Sequence, residues 1–192
     1  ALNDARLNII HADAFNHVDV LVAKQQIYDV IIVDLPDPNH PDLNKLYSNH
    51  FYTRLQQLLN ADGVLVVQST SPYHAQQAFL SIGKTVADAG FTAVEQYHQN
   101  VPSFGQWGWT IAVKQGLPVR QRLEKQLANQ QILDVPTQWL TWPLVFASFE
   151  FPKGFYADYA NIKVNYLGSQ QLFNYHDQAW RKQQGVVNLG SN

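Results

Sequence analysis

The sequence predicts a doubly wound α/β sheet. Short β-branched runs alternate with longer stretches of helical periodicity from Leu7 to Phe91. Gly and Pro punctuate the joins between them. The most regular run, Tyr28-Asp-Val-Ile-Ile-Val33, is followed directly by two aspartates three residues apart, Asp34 and Asp37. Open α/β sheets bind ligands beyond the carboxyl ends of their strands. A carboxylate pair at that place suits a cationic ligand, or a base that takes a proton from one.

The elements follow in order. Leu7-Asn-Ile-Ile10 reads as a strand, and residues 14–23 as a short helix. Tyr28-Asp-Val-Ile-Ile-Val33 is unbroken and β-branched, the pattern of a fully buried parallel strand. Asp34-Leu-Pro-Asp-Pro-Asn-His-Pro41 cannot extend it, because three prolines remove ladder donors and fix φ. Ser48 is placed to N-cap a helix with Phe51, Leu55, Leu58 and Leu59 on one face. Asp62-Gly63 is expected to end that helix, and Val64-Leu-Val-Val67 to form the next buried strand. Ser71-Pro72 is expected to open a helix, with Pro at its first position. That helix carries Ala75, Phe79, Ile82 and Val86 and stops at Gly90. Residues 91–97 and 107–113 read as an antiparallel pair joined by Asn100-Val-Pro-Ser-Phe-Gly105. From Gly116 the character changes. Residues 118–130 are polar and helical in pattern, and residues 136–149 are rich in aromatics, with Trp139, Trp142 and Phe146. Residues 1–115 therefore read as the α/β domain and residues 116–192 as an extension packed on it. The aromatic spacing fits packing better than a separate binding surface.

Composition narrows the function classes. Of 192 residues, 46% are hydrophobic and 15% charged, enough to build a core. The net charge is -2 and no Lys/Arg cluster occurs, which argues against a nucleic-acid partner. No apolar run reaches the length of a membrane span, and no signal-peptide pattern is present. Cysteine is absent, which excludes disulfides and thiolate metal sites and favours a reducing compartment. The seven histidines lack metal-ligand spacing, so no metal is expected. Methionine is absent and the chain begins Ala1-Leu-Asn, from which a piece of a longer protein is expected.

Several ordered motifs carry a resemblance. Asp13-Ala-Phe15, Tyr28-Asp-Val-Ile-Ile-Val-Asp-Leu-Pro-Asp-Pro38 and Leu46-Tyr-Ser-Asn-His-Phe-Tyr52 resemble the spermidine synthase family of polyamine aminopropyltransferases. Gly63-Val-Leu-Val-Val-Gln-Ser-Thr-Ser-Pro72 and Val101-Pro-Ser-Phe-Gly-Gln-Trp-Gly-Trp109 continue the likeness in order and spacing. Val164-Asn165 and Tyr175-His-Asp-Gln-Ala-Trp-Arg181 are similar to the tail of the family's long bacterial branch, whose members carry an N-terminal membrane region. The resemblance implies a Rossmann-like sheet of the S-adenosylmethionine-dependent methyltransferase type, lacking its first strands. The family's glycine-rich loop and ribose-gripping acidic residue would precede this chain. With those strands absent, the Leu7-Asn-Ile-Ile10 segment would lose its neighbour, and would borrow a partner chain or lie displaced.

The implied reaction moves an aminopropyl group from decarboxylated S-adenosylmethionine to putrescine or a related amine. The donor is a co-substrate, so no cofactor and no metal are implied. By resemblance Asp34 is the general base and Asp37 holds the donor's aminopropyl amine. Asp13 and Ala14 would clamp the adenine, Gln68 and Tyr73 would lie near the amine pocket, and Phe104 and Trp109 would wall it. Plainer readings stand beside these. An Asp after a strand is often a turn former, Asp13 can cap the next helix, Gln68 can satisfy backbone groups, and Trp107 and Trp109 at period two fit a core face. Phe104 stands where many soluble members show tyrosine, so no hydroxyl is available there. The resemblance is compatible with a homodimer and a cytoplasmic domain, its parent anchored in a bacterial inner membrane. On its own the chain is expected to be inactive, lacking most donor contacts. Two alternatives remain: an S-adenosylmethionine-dependent methyltransferase, disfavoured because the donor's carboxylate would meet Asp37, and a non-catalytic polyamine-binding module.

Overall fold

The computed structural model describes residues 4–129 and 136–183. Strands β1 (Tyr28–Val33) and β2 (Leu59–Gln68) pair in parallel, from Val30 opposite Val64 to Val33 opposite Val67. Strands β3 (Ala93–Val101) and β4 (Gly105–Val113) form the antiparallel hairpin, and β4 inserts beside β2, giving the order β1-β2-β4-β3. Helix α1 (Ala14–Ala23) precedes β1, α2 (Asn49–Gln57) precedes β2, and α3 (Gln76–Asp88) joins β2 to β3. The result is a mixed α/β sheet with helices, within the α/β class that the alternation predicted.

One face of the sheet makes the core. Leu65, Val67 and Ala112 pack with Phe51, Tyr52 and Leu55 of α2 and with Ala78, Ile82 and Val86 of α3. The Ser48 side chain accepts from the Phe51 N–H and caps α2 as expected. Gly108 lets β4 approach α3 closely: a Cβ there would collide with the Phe79 ring and come within 3.0 Å of the Thr70 carbonyl.

Four sequence expectations are corrected. Residues 7–10 form no strand; they pair with nothing, and Leu7, Ile9 and Ile10 are exposed. A strand needs a ladder partner, and β1 is an edge whose free side these residues do not reach. Nor is β1 buried on both faces: Val33 is buried, but Ile32 on the opposite face is 71% exposed. Helix α2 stops at Gln57, and Leu59 already pairs with Tyr28. Asp62-Gly63 therefore lies inside β2, where a register shift between Tyr28 and Val30 absorbs the extra residues. Finally, Pro72 starts a turn rather than α3. Ser71 Oγ accepts from the His74 N–H at 3.3 Å, and the helix begins at Gln76.

The later residues fold back onto this core. Helix α4 (Val119–Asn129) has no buried residue; Gln130, the last position of the expected helix, lies outside the described residues. Helix α5 (Trp142–Ala147) is capped by Thr141 and buries Trp142, whereas Trp139 is exposed. Phe151 and Phe155 stack at 4.5 Å and pack on Phe79 of α3. Helix α6 (Gln171–Gln183) lies against α3 and buries Leu172. Asn165 ties this tail to the loop after β1: its Nδ2 donates to the Asn44 and Tyr47 carbonyls at 3.1 Å each. Among the described residues no helix is long and apolar enough to cross a membrane.

Candidate functional site

Strand β1 delivers Asp34 to the carboxyl edge of the sheet and the prolines stop the strand there. Asp34 is exposed, and no described group donates a hydrogen bond to its carboxylate. It lines two hollows. One, about 640 Å³, is walled by Ile32, Gln68, Tyr97, Phe104, Trp107 and Trp109. The other, about 430 Å³, is apolar and lies along α1 and the rim of β1, with Ala14, Val18, Tyr28 and Leu35. Both fall within the size range of small-molecule sites, roughly 300–1,000 Å³.

The first hollow is aromatic because the β3–β4 hairpin presents alternate residues to it. Trp109 and Tyr97 stand opposite each other in the ladder and stack at 5.4 Å, and Phe104 at the hairpin tip leans on Trp107 at 5.4 Å. Such faces suit the alkyl chain and charge of an organic cation. Burial pushes the Tyr97 hydroxyl up to about 12. Asp34, Gln68 and Phe104 thus surround one cleft.

Asp37 is held where Asp34 is free. Its Oδ1 accepts from Gln68 Nε2 at 2.7 Å and its Oδ2 from Thr70 Oγ1 at 3.2 Å. Gln68 Oε1 accepts in turn from the buried Thr70 N–H at 3.2 Å. Thr70 sits at φ +61°, an unfavourable region for a β-branched residue that costs about 1–3 kcal/mol. Its carbonyl accepts from the Gly108 N–H at 2.8 Å, so all three of its polar groups are used to hold that conformation. Tyr47 is fully buried and donates to the Pro36 carbonyl at 2.8 Å, bracing the proline loop from beneath. Burial, then the negative charges of Asp37 and Asp34, push its hydroxyl far above the ordinary tyrosine value, so it stays a neutral donor.

Two further residues at Asp37 come from the tail. His176 Nε2 lies 3.2 Å from Asp37 Oδ2, and Trp180 Nε1 donates to the same His176 Nε2 at 2.8 Å. His176, Trp180 and Tyr47 lie in motifs that carry the family resemblance, and the sequence alone assigns them no role. An i, i+4 His/Trp pair on one helix face was the available signal.

The remaining expected positions separate. Asp13 caps α1, accepting from the Asn16 N–H at 3.0 Å, and its other oxygen meets Lys45 Nζ at 3.2 Å. Ala14 opens α1 and lines the apolar hollow. Tyr73 does not line the aromatic cleft. It packs edge-on against His98 and Phe155 and borders a depression shared with Tyr175, Gln178 and Lys182 of α6.

Comparison with known proteins follows the same lines. Residues 1–124 match the spermine/spermidine synthase domain. A polyamine aminopropyltransferase of Shewanella oneidensis is 59% identical over 97% of this chain and 32% of its own length. One from Oceanobacillus iheyensis is 33% identical over 94% of this chain and 33% of its own length. The chain thus spans about a third of the length of these curated relatives. The crystal structure of spermidine synthase from Thermotoga maritima superposes with a TM-score of 0.65 at 20% identity, covering 83% of this chain and 52% of that one, a likeness of fold. With the domain match spanning well over half its residues, the chain belongs to the spermine/spermidine synthase family.

Proposed function

We propose that this chain carries the proton-abstracting and amine-holding part of a polyamine aminopropyltransferase. The donor is decarboxylated S-adenosylmethionine and the acceptor putrescine or a related diamine. The observation that carries the reading is the position of Asp34, a carboxylate to which no described group donates, on the rim shared by two hollows. The apolar hollow beside Ala14 suits a nucleoside. The aromatic cleft of Phe104, Trp107 and Trp109 suits an alkyl diammonium.

The chemistry follows from that layout. An ammonium cannot attack, so the acceptor must first lose a proton, and Asp34 is the free base at hand. The amine nitrogen then forms a bond to the aminopropyl carbon next to the sulfonium. The C–S bond breaks and its electrons return to sulfur, releasing neutral methylthioadenosine. Asp37 faces the donor's own cationic amine and fixes the carbon chain in line for attack. Gln68 and Thr70 hold that carboxylate in one orientation. Asp13 and Ala14 contribute to the adenine side, with the Asp13 cap positioning the first turn of α1. Tyr73 lies outside the cleft and takes no part in this reading.

The test is a product assay on the full-length protein that contains this chain. Purified enzyme with decarboxylated S-adenosylmethionine and putrescine should yield spermidine and methylthioadenosine in equal amounts. Methylated product from S-adenosylmethionine would establish a methyltransferase instead. Diamine binding with neither product would establish a binding module.

A further inference from the structure

A single nitrogen, His176 Nε2, has two neighbours that make opposite demands on it. Trp180 Nε1 stands 2.8 Å away and Asp37 Oδ2 stands 3.2 Å away. An indole N–H only donates, so it requires a bare lone pair on Nε2. A carboxylate only accepts, so it would require a proton on Nε2. One nitrogen cannot meet both. The shorter distance falls in the middle of the hydrogen-bond range and the longer at its end. The His176 side chain is 6% exposed and Trp180 is partly buried beside it, so an indole N–H facing another N–H would lose its protein acceptor. Trp180 is itself backed by His74, the rings stacked at 6.0 Å.

We infer that Trp180 locks His176 in the tautomer protonated on Nδ1, and so keeps Asp37 free for a ligand's ammonium. Were Nε2 protonated, it would donate to Asp37 Oδ2 and satisfy the carboxylate from within the protein. In the locked state Asp37 receives two donors among the described residues, Gln68 Nε2 and Thr70 Oγ1. A carboxylate offers about four acceptor positions, and the bare Nε2 lone pair beside it adds negative potential. Both features favour a cation over a neutral occupant. His176 and Trp180 are positioning residues here, acting through Asp37, and both belong to α6, beyond the residues 1–124 that match the family domain. The inference rests on the proposal that Asp37 holds the donor's amine.

The test pairs a spectroscopic arm with a kinetic one. In this chain labelled with 15N, long-range correlations of the His176 ring should show Nδ1 protonated and Nε2 bare. In Trp180→Phe, which keeps an aromatic ring without the N–H, the proton should move to Nε2. In the full-length enzyme Trp180→Phe should raise KM for decarboxylated S-adenosylmethionine about tenfold, with kcat at saturating donor within about twofold of native. Adding His176→Phe to Trp180→Phe removes the competing donor and should restore much of the donor KM. A side chain that merely packs would predict a further loss instead. A native His176 protonated on Nε2 overturns the inference whatever the kinetics show. A tautomer that moves while donor KM stays native overturns it as well. Asp37→Asn separates the two levels. If it leaves donor KM unchanged, the assignment of Asp37 falls and takes the inference with it. If it raises donor KM while Trp180→Phe does not, the inference alone fails.

Discussion

Replacing Gln68 by leucine keeps the bulk of a buried side chain and removes both of its polar ends. The 2.7 Å bond from Nε2 to Asp37 Oδ1 is charge-assisted and contributes about 1.5–3 kcal/mol. The Thr70 N–H, in a residue with no exposure, would lose its 3.2 Å acceptor, at about 1–3 kcal/mol. The contact with Tyr47 at 3.5 Å is too long to count, and Tyr47 keeps its bond to Pro36. Added apolar burial returns about 1–1.5 kcal/mol. The net loss is about 1–5 kcal/mol. Thermal and urea unfolding at neutral pH should read it, as a lower midpoint with the urea slope unchanged. A loss below about 1 kcal/mol would show that solvent satisfies Asp37 and Thr70, and would refute the argument that Gln68 orders this loop.

Three other outcomes follow from the same structure. Gly108→Ala places a methyl group against the Phe79 ring and the Thr70 carbonyl, and should destabilise by about 1–3 kcal/mol in the same unfolding assay. Burial raises the Tyr97 and Tyr156 hydroxyls from 10.0 to about 12. The unfolded chain therefore releases those protons first. Stability should be full below pH 10 and fall as pH rises toward 12, and Tyr97→Phe should make the fall shallower. Thr70→Gly relieves the positive φ but deletes the Oγ1 bond to Asp37, so in the full-length enzyme it should raise donor KM more than it lowers stability.

Much of this was legible in the sequence because local rules dominate those segments. The β-branched run to Val33, the proline stop behind it and the Ser48 cap each follow from one or two residues. Phe104 and Trp109 as walls of a pocket came from the resemblance; alternation in β3 and β4 alone fitted a core face equally well. What escaped depends on distant partners. The residues 7–10 have strand composition, yet no ladder receives them. Asp62-Gly63 looks like a helix stop, but parallel pairing with β1 captures Leu59 first and turns the segment into an irregularity of β2. Asp37, Thr70 and His176 meet from positions more than 30 and more than 130 residues apart. No periodicity connects them; only the return of α6 across α3 does.

The central claim is that Asp34 takes the acceptor amine's proton. Asp34→Asn in the full-length enzyme preserves shape and removes the base. Single-turnover transfer at saturating donor and putrescine should slow by about a hundredfold or more, with donor KM little changed. A rate near native would mean that Asp34 only ends a strand, and would contradict the account.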